Sequence, residues 1–114
     1  MKIEDYQFGR ITVDGESYTS DVIISPDGVD ASWRREKGHK VSRKDLAPVL
    51  AAEPEVLVIG TGAYGVMKVK PKADALARER CREVHVLTTP EACKKFNELA
   101  GAGRRVVAAL HLTC

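Results

Sequence analysis

The spacing of apolar positions changes about a third of the way along the chain. In the first third, short apolar segments alternate with polar turns, and the three segments read FGRITV, YTSDVII and VDASWR. The turns between them, DGES and SPDG, each place an Asp next to a Gly, a residue that reaches positive φ without steric cost. This pattern predicts an N-terminal β-meander.

The remaining two thirds alternate strand-like and helix-like patterns. Strands are predicted over VLVI, VHVL and RRVVAALHL, and helices over KADALARERC and PEACKKFNELA. The first and last of these strands are almost entirely apolar, as expected of strands that helices cover on both faces. We therefore predict βαβ units in this part of the chain.

A further helix is predicted between the meander and the first βαβ unit. Ser42 precedes the segment RKDLAPVLAAE, and Asp45 follows at the spacing of a capping box. Pro48 lies inside the segment, where its missing amide hydrogen and its ring usually kink or end a helix. We therefore expect this helix to be irregular.

Length, charge and apolar content limit the number of domains and the kinds of partner that we expect. With 114 residues the chain is expected to form one domain, residues 1–114. Its 18 Lys and Arg against 16 Asp and Glu leave a net charge of +2, and aromatic residues make up 5%, so we do not expect a nucleic acid partner. Neither a long apolar run nor an apolar segment in MKIEDYQFGR is present, so we expect a cytoplasmic protein with no membrane partner.

The three cysteines do not follow the spacing of a disulfide framework or of a zinc site. We therefore expect no structural metal. Cys81 and Cys93 fall on the apolar faces of the two later helices, which favours core packing. The role of Cys114 stays open, because a reactive thiol would need a neighbouring cation or a helix N-terminus to lower its pKa.

The segment VLVIGTGAYG places Gly60, Gly62 and Gly65 at the GxGxxG spacing of dinucleotide-binding loops. A strand precedes the glycines, but VMKVKP follows them, and its Val and Pro residues favour extended chain over helix. We therefore expect neither dinucleotide binding nor any other cofactor. Two alternatives stay open: an anion site made by the amides of residues 60–62 with the Thr61 hydroxyl, or a tight turn.

Polar residues are expected to gather at one edge of the sheet. If the three later strands are parallel, their carboxyl ends meet at one edge, where ligands commonly bind. The residues of this predicted cleft are Gly60, Thr61, Gly62, Thr88, His111 and Cys114. Because side chains alternate along a strand, Cys114 should lie on the opposite face from His111. The spacing therefore does not predict a Cys–His pair.

The segment WRREKGHK combines the only tryptophan of the chain with a cluster of cations. Trp33 ends an apolar strand and is expected to anchor the core or a sheet face. Arg34, Arg35 and His39, with neighbouring lysines, are candidates to recognise an acidic partner or a phosphate, and the alternative is a solvated basic loop. We therefore take Trp33, Arg34, Arg35 and His39 as candidate partner-binding residues.

Several of these segments occur together in a known family. The segments DGESYTSDVIISPDGV, WRREKGH, VLVIGTG, VHVLTTPEACKKFNEL and RRVVAALHLTC resemble, in this order, the adipogenesis-associated MTH-type domain-containing protein family. That family also includes a mitochondrial complex I assembly factor of the same fold. The resemblance covers nearly the whole chain. It implies a three-layer α/β fold around a mixed sheet of about five strands. It supplies no catalytic residues, and the eukaryotic members look like assembly or regulatory proteins.

Two hypotheses about function follow. The first is a non-enzymatic binding, assembly or regulatory module with a protein partner, for which a homodimer stays open. It rests on the lack of a recognisable catalytic constellation in the sequence. The second is a protein or enzyme that binds a small molecule or a phosphate ligand in a cleft near the glycine loop and the C-terminal HLTC segment.

Overall fold

The computed structural model describes all 114 residues. The first half of the chain forms six strands and one helix: β1 (Ile3–Gln7), β2 (Arg10–Val13), β3 (Glu16–Tyr18), β4 (Val22–Ser25), β5 (Gly28–Asp30), β6 (Lys40–Val41) and α1 (Arg43–Leu50). The second half forms β7 (Val56–Thr61), β8 (Lys68–Val69), α2 (Pro71–Arg80), β9 (Glu83–Leu87), α3 (Thr89–Gly101) and β10 (Val106–His111).

A mixed sheet of five strands, in the order β5-β4-β10-β7-β9, runs through the middle of the molecule. β10 pairs in parallel with β7, from Val106 opposite Val56 to His111 opposite Thr61, and β9 is parallel to β7 on its other side. β4 is antiparallel to β10, and β5 is antiparallel to β4. The predicted mixed central sheet is confirmed. The three parallel strands end together at Thr61, Leu87 and His111, and we call this side the carboxyl edge.

Helices and strands cover both faces of this sheet, which gives the predicted three layers. Val106, Ala108 and Leu110 of β10 belong to a core shared with α3 and with the sheet of β1 to β3. Val107 and Ala109 belong to a second core shared with α1 and α2. This alternation puts His111, the next residue in the second series, on the face of α1 and α2.

β1, β2 and β3 form an antiparallel sheet, which confirms the N-terminal β-meander with different boundaries. The segment YTSDVII, predicted as one strand, is divided between β3 and β4, which belong to different sheets. The division falls at Asp21, whose carboxylate accepts a hydrogen bond of 2.8 Å from the Leu112 amide. The predicted strand VDASWR is reduced to Gly28–Asp30, and Trp33 is buried outside it.

Helix α1 contains Pro48 but continues to Leu50. Its start is the predicted capping box, in which the amide and the hydroxyl of Ser42 donate to Asp45 Oδ2 over 2.8 and 2.9 Å. Because the helix ends shortly after Pro48, the missing amide removes a hydrogen bond only in the last turn. None of the three helices is both long and apolar enough to cross a membrane.

Cys81 and Cys93 are buried in the two cores, as the helical pattern predicts. Burial raises the pKa of the Cys93 thiol to about 12. Burial also raises the pKa of the Cys81 thiol, against the opposing effect of Arg80. Neither thiol forms a disulfide, and the half-buried Cys114 is also free.

Candidate functional site

The glycines of the loop allow chain segments to approach one another closely. A Cβ atom on Gly60 would lie 2.8 Å from both Leu110 Cδ2 and Thr89 Oγ1. A Cβ atom on Gly62, whose φ is +105°, would lie 2.4 Å from the carbonyl oxygen of Thr113. Both positions therefore require glycine because other protein atoms occupy the adjacent space.

The polar groups of the loop are used inside the protein. The Gly62 amide donates to Thr89 Oγ1 over 2.9 Å, and the Thr89 hydroxyl donates to the His111 carbonyl over 2.6 Å. The Thr61 hydroxyl donates to the Leu87 carbonyl over 3.0 Å. The carbonyl oxygen of Thr113 in front of Gly62 would also repel an anion. This arrangement supports the tight-turn alternative over the anion site.

Thr88 and Thr89 follow β9 and begin α3, but they contribute differently. Thr88 is the N-cap residue, is half-buried, and makes no side-chain capping hydrogen bond. Thr89 is fully buried and joins the glycine loop to the end of β10 through its hydroxyl. The structure therefore gives the linking role at this edge to Thr89.

A buried network of Asp21, Arg35 and His111 lies beside the loop. Arg35 Nη2 donates to Asp21 Oδ2 over 2.6 Å, and His111 Nδ1 lies 2.8 Å from the same oxygen. Arg35 Nη2 also lies 3.1 Å from His111 Nδ1, but the contact between Nδ1 and Asp21 is shorter. Since a carboxylate only accepts hydrogen bonds, we assign the proton of the shorter contact to Nδ1. The remaining ring nitrogen, Nε2 of His111, is buried and has no hydrogen-bond partner.

The partners of Asp21 determine its charge state. Burial alone raises the pKa of the Asp21 carboxyl, but hydrogen bonds from His111, the Leu112 amide and Arg35 outweigh burial and hold that pKa below its ordinary value. The carboxylate is therefore ionised at neutral pH and orients the imidazole ring of His111.

Trp33 packs against this network. Its indole Nε1 donates to the Asp45 carbonyl over 3.0 Å, and the Arg35 guanidinium carbon lies 4.6 Å from the centre of the Trp33 ring. The Arg35 side chain is only 4% exposed. Trp33 and Arg35 therefore act inside the fold, whereas Arg34 and His39 lie at the surface. The four candidate partner-binding residues do not form one surface group.

His39 instead approaches the segment that follows the last strand. Its Nε2 lies 3.0 Å from the Sγ atom of Cys114, and its ring centre lies 5.8 Å from that of His111. One ring nitrogen from each histidine and the Cys114 Sγ atom lie within 4.8 Å of one another. We call His39, His111 and Cys114 the thiol–imidazole cluster.

The cluster forms because the strand alternation stops before Cys114. β10 ends at His111, and Cys114 has a φ of +49°, in the left-handed region. Hydrogen bonds fix the intervening backbone: the Ala63 amide donates to the Thr113 carbonyl over 3.2 Å, and the Val66 amide donates to the main-chain oxygen of Cys114 over 3.4 Å. The expectation that Cys114 lies away from His111 assumed a continuous strand and is therefore wrong.

The cluster offers two kinds of chemistry. A thiol 3.0 Å from an imidazole nitrogen is at the distance of a nucleophile and its base. Two imidazoles and a thiol are also a donor set for a transition metal. The expectation of no metal rested on spacing along the chain, and it does not extend to residues 39, 111 and 114, which only the fold brings together.

Two residues of this region do not stand out in the sequence. Asp21 follows the polar residues Thr19 and Ser20, and its only signal in the sequence is that it directly precedes the apolar run VII, where a charge can belong to a buried network. Thr89 gives no comparable signal, because Thr88 and Thr89 are equally good candidates for the helix cap.

Comparisons with known proteins agree with this architecture. A family model described as a protein of unknown function (DUF498/DUF598) matches residues 3–111. The conserved hypothetical protein PH1505 from Pyrococcus horikoshii OT3 is 34% identical, with a TM-score of 0.85 and 100% of both chains covered. The structure of MT938 is also 34% identical, with a TM-score of 0.82 over 99% of this chain and 98% of that one.

A more distant structure shares the fold. A protein from Bordetella pertussis, described as a Mth938-like domain, is 22% identical, with a TM-score of 0.71 over 97% of this chain and 85% of that one. The match over residues 3–111 and the two structures at 34% identity show that the chain belongs to the DUF498/DUF598 family, whose function is unknown.

Proposed function

We propose that the protein is a non-enzymatic binding module that docks an acidic segment of a partner protein. The observation that carries the proposal is a group of exposed lysines without carboxylate partners. Lys37, Lys40, Lys68 and Lys70 are exposed, and no ion pair within 4.0 Å involves any of them. We call these four residues the lysine ridge.

The fold holds the ridge in a fixed arrangement. Lys40 in β6 lies directly opposite Lys68 in the parallel strand β8. The Lys68 amide donates to the His39 carbonyl over 2.9 Å, and the Lys70 amide donates to the Val41 carbonyl over 3.0 Å. Like charges that lie directly opposite each other on neighbouring strands are destabilising. A carboxylate-bearing partner would relieve this repulsion.

A polar cleft provides a place for such a partner. Lys37, Lys40 and Lys70 line a cleft of about 340 Å³ together with Glu36, Ser42 and Asp45. Asp45 accepts hydrogen bonds from Ser42 and from the Glu36 amide. The three lysines outnumber the two carboxylates of Glu36 and Asp45, so the lining keeps a positive excess. The cleft therefore suits one or two carboxylate side chains better than a large apolar group.

The charge of the whole chain favours a protein partner over nucleic acid. Its net charge is +2 and its aromatic content is 5%, whereas nucleic acid binders usually carry a larger basic excess and often aromatic stacking platforms. Two lysine ridges would repel each other, so the ridge does not support a homodimer through this surface. The proposed compartment is the cytoplasm, where the three free thiols would stay reduced.

The second hypothesis, a small-molecule or phosphate-ligand binder at the glycine loop, receives less support. The Gly62 amide is already bonded to Thr89, and the Thr113 carbonyl fills the adjacent space. The remaining residues of that hypothesis, His111 and Cys114, offer nitrogen and sulfur donors, which suit a metal ion better than a phosphate.

Fluorescence anisotropy with a labelled glutamate-rich peptide tests the proposed docking. We expect the double variant Lys40→Glu/Lys68→Glu to bind roughly tenfold more weakly than the original protein, since each exposed ion pair contributes up to about 1 kcal/mol. Added salt should weaken binding by the original protein, because screening acts on exposed charges.

Lys94→Glu is the matched control, because Lys94 is exposed on α3 and forms no ion pair. A single-stranded oligonucleotide and anionic vesicles serve as competing ligands. Equal weakening by Lys94→Glu and by the double variant would contradict the proposal. Tighter binding of the oligonucleotide or the vesicles than of the peptide would also contradict it.

A further inference from the structure

We propose that His39, His111 and Cys114 form a binding site for a transition-metal ion such as Zn²⁺. His39 comes from the loop before β6, whereas His111 ends β10 and Cys114 lies in the short segment that follows β10. Their donor atoms lie within 4.8 Å of one another. Two imidazole nitrogens and one thiolate are ligands that Zn²⁺ prefers, whereas Mg²⁺ and Ca²⁺ prefer oxygen.

The buried nitrogen of His111 is the observation that points to a ligand. The His111 side chain is 7% exposed, and its Nε2 atom is buried with no hydrogen-bond partner. Because Nδ1 carries the proton that faces Asp21, Nε2 keeps its lone pair. A buried acceptor without a partner is unfavourable, and a metal ion would satisfy it.

Asp21 has the position of an outer-shell carboxylate. Histidines that bind metals usually donate their second ring N–H to a carboxylate or a carbonyl, which fixes the tautomer and the direction of the ring. Asp21 Oδ2 lies 2.8 Å from His111 Nδ1 and is itself held by Arg35 at 2.6 Å. Asp21 is therefore a positioning residue for the proposed site and does not contact the ion.

The geometry requires only a small adjustment. Zinc bonds of about 2.0–2.3 Å at tetrahedral angles place ligand atoms roughly 3.3–3.6 Å apart. The present separations are 3.0 Å between His39 and Cys114 and at most 4.8 Å within the cluster. His111 is fixed in the sheet, whereas His39 is exposed in a loop and Cys114 is only half-buried, so these two residues can move.

Metal binding would replace the hydrogen bond between Cys114 and His39. Cys114 would bind as thiolate, and its proton would pass to solvent. Three protein ligands leave a fourth tetrahedral position open for water or for a donor atom of another molecule. The site shares no ligand residue with the lysine ridge, although His39 lies between Lys37 and Lys40 in the sequence and its carbonyl accepts a hydrogen bond from the Lys68 amide.

Equilibrium dialysis of the untagged, reduced protein against Zn²⁺, with metal analysis, tests the site. We expect one bound Zn²⁺ per chain, no competition by Mg²⁺, and charge-transfer absorption typical of a thiolate ligand when Co²⁺ is used instead. Cys114→Ser and His39→Gln should each weaken Zn²⁺ binding by roughly a hundredfold or more, and Cys114→Ser should also remove the charge-transfer band.

Matched controls separate ligand loss from unfolding. Cys81→Ser and His85→Gln change a cysteine and a histidine outside the cluster and should keep stoichiometric binding. Asp21→Asn should keep the Co²⁺ charge-transfer band but bind Zn²⁺ roughly 10–100-fold more weakly, a result that simple destabilisation would not produce. Circular dichroism confirms that each variant is folded.

The proposal is overturned if the protein binds no Zn²⁺ under these conditions, or if Cys114→Ser and His39→Gln bind it as tightly as the two controls do. Lys40→Glu/Lys68→Glu should retain Zn²⁺ binding. This double variant therefore distinguishes a failure of the metal site from a failure of the proposed acidic docking.

Discussion

The glycine loop and the WRREKGHK segment differ in how their sequence patterns relate to their roles in the structure. The loop has the spacing of a ligand-binding motif. Its Gly62 amide, however, is already bonded to the Thr89 hydroxyl, and the Thr113 carbonyl fills the space beside Gly62. The segment has the composition of an ordinary basic loop, yet it supplies Arg35 to a buried network, His39 to the thiol–imidazole cluster and Lys37 to the ridge. What distinguishes the two regions is whether their polar groups already have partners inside the fold.

The largest effect should come from filling the space at Gly62. Gly62→Ala forces a side chain into a backbone with a φ of +105° and places Cβ 2.4 Å from the Thr113 carbonyl. We expect a loss of roughly 3 kcal/mol or more in the free energy of unfolding, measured by urea denaturation.

Gly15→Ala separates backbone strain from close approach. Gly15 has a φ of +84°, but no atom lies within 4 Å of the position that a Cβ would take, so this variant should lose only about 1 kcal/mol. Similar losses for the two variants would show that the glycine loop does not depend on contact with residues 113 and 114.

The buried network should also contribute strongly to stability. Asp21→Ala leaves the Arg35 guanidinium, whose side chain is 4% exposed, without its carboxylate. An uncompensated buried charge typically costs about 3–5 kcal/mol, and we expect a loss near the lower limit because Arg35 also packs on Trp33. Arg34→Ala, at an exposed position, should change the free energy of unfolding by less than about 0.5 kcal/mol. Equal effects would contradict the distinction between the two arginines.

Thiol reactivity should separate Cys114 from the two core cysteines. Burial raises the pKa of Cys93 to about 12 and also raises that of Cys81, so both thiols are almost fully protonated near neutral pH. With a disulfide reagent, we expect one thiol per native chain to react at least about a hundredfold faster than the other two. Cys114→Ser should abolish the fast phase, whereas its survival in that variant would mean that a core cysteine is accessible.

The smallest effect concerns the ridge itself. Lys68→Glu should convert repulsion with Lys40 into attraction and stabilise the protein by about 0.2–1 kcal/mol, measured by thermal denaturation at low salt. Lys94→Glu on α3 provides the comparison. A loss of stability in Lys68→Glu would indicate that the lysine side chains point away from each other.

Much of the fold follows from local pattern. The buried runs VLVI and VVAALHL predict the central strands, and the capping box predicts the start of α1, because each signal lies within a few residues. The local pattern does not predict that the segment YTSDVII is divided between β3 and β4. It coincides with the hydrogen bond between Asp21 and Leu112, residues that only the folded chain brings together.

The candidate site was predictable only in part. The ends of parallel strands bring Thr61 and His111 to one edge of the sheet. The alternation of strand and helix patterns in the sequence predicts this topology. The approach of His39 to Cys114 depends on the path of a loop and on a positive φ at residue 114, for which the sequence offers no periodic signal.

The most direct test of the central contrast is an amide NMR map of the protein titrated with the glutamate-rich peptide. We predict shifted amide signals in residues 37–41 and 68–70, with the Gly62 signal unchanged because its amide stays bonded to Thr89. Shifts centred on residues 60–62, with the lysine ridge unaffected, would contradict the account and identify the glycine loop as the ligand site.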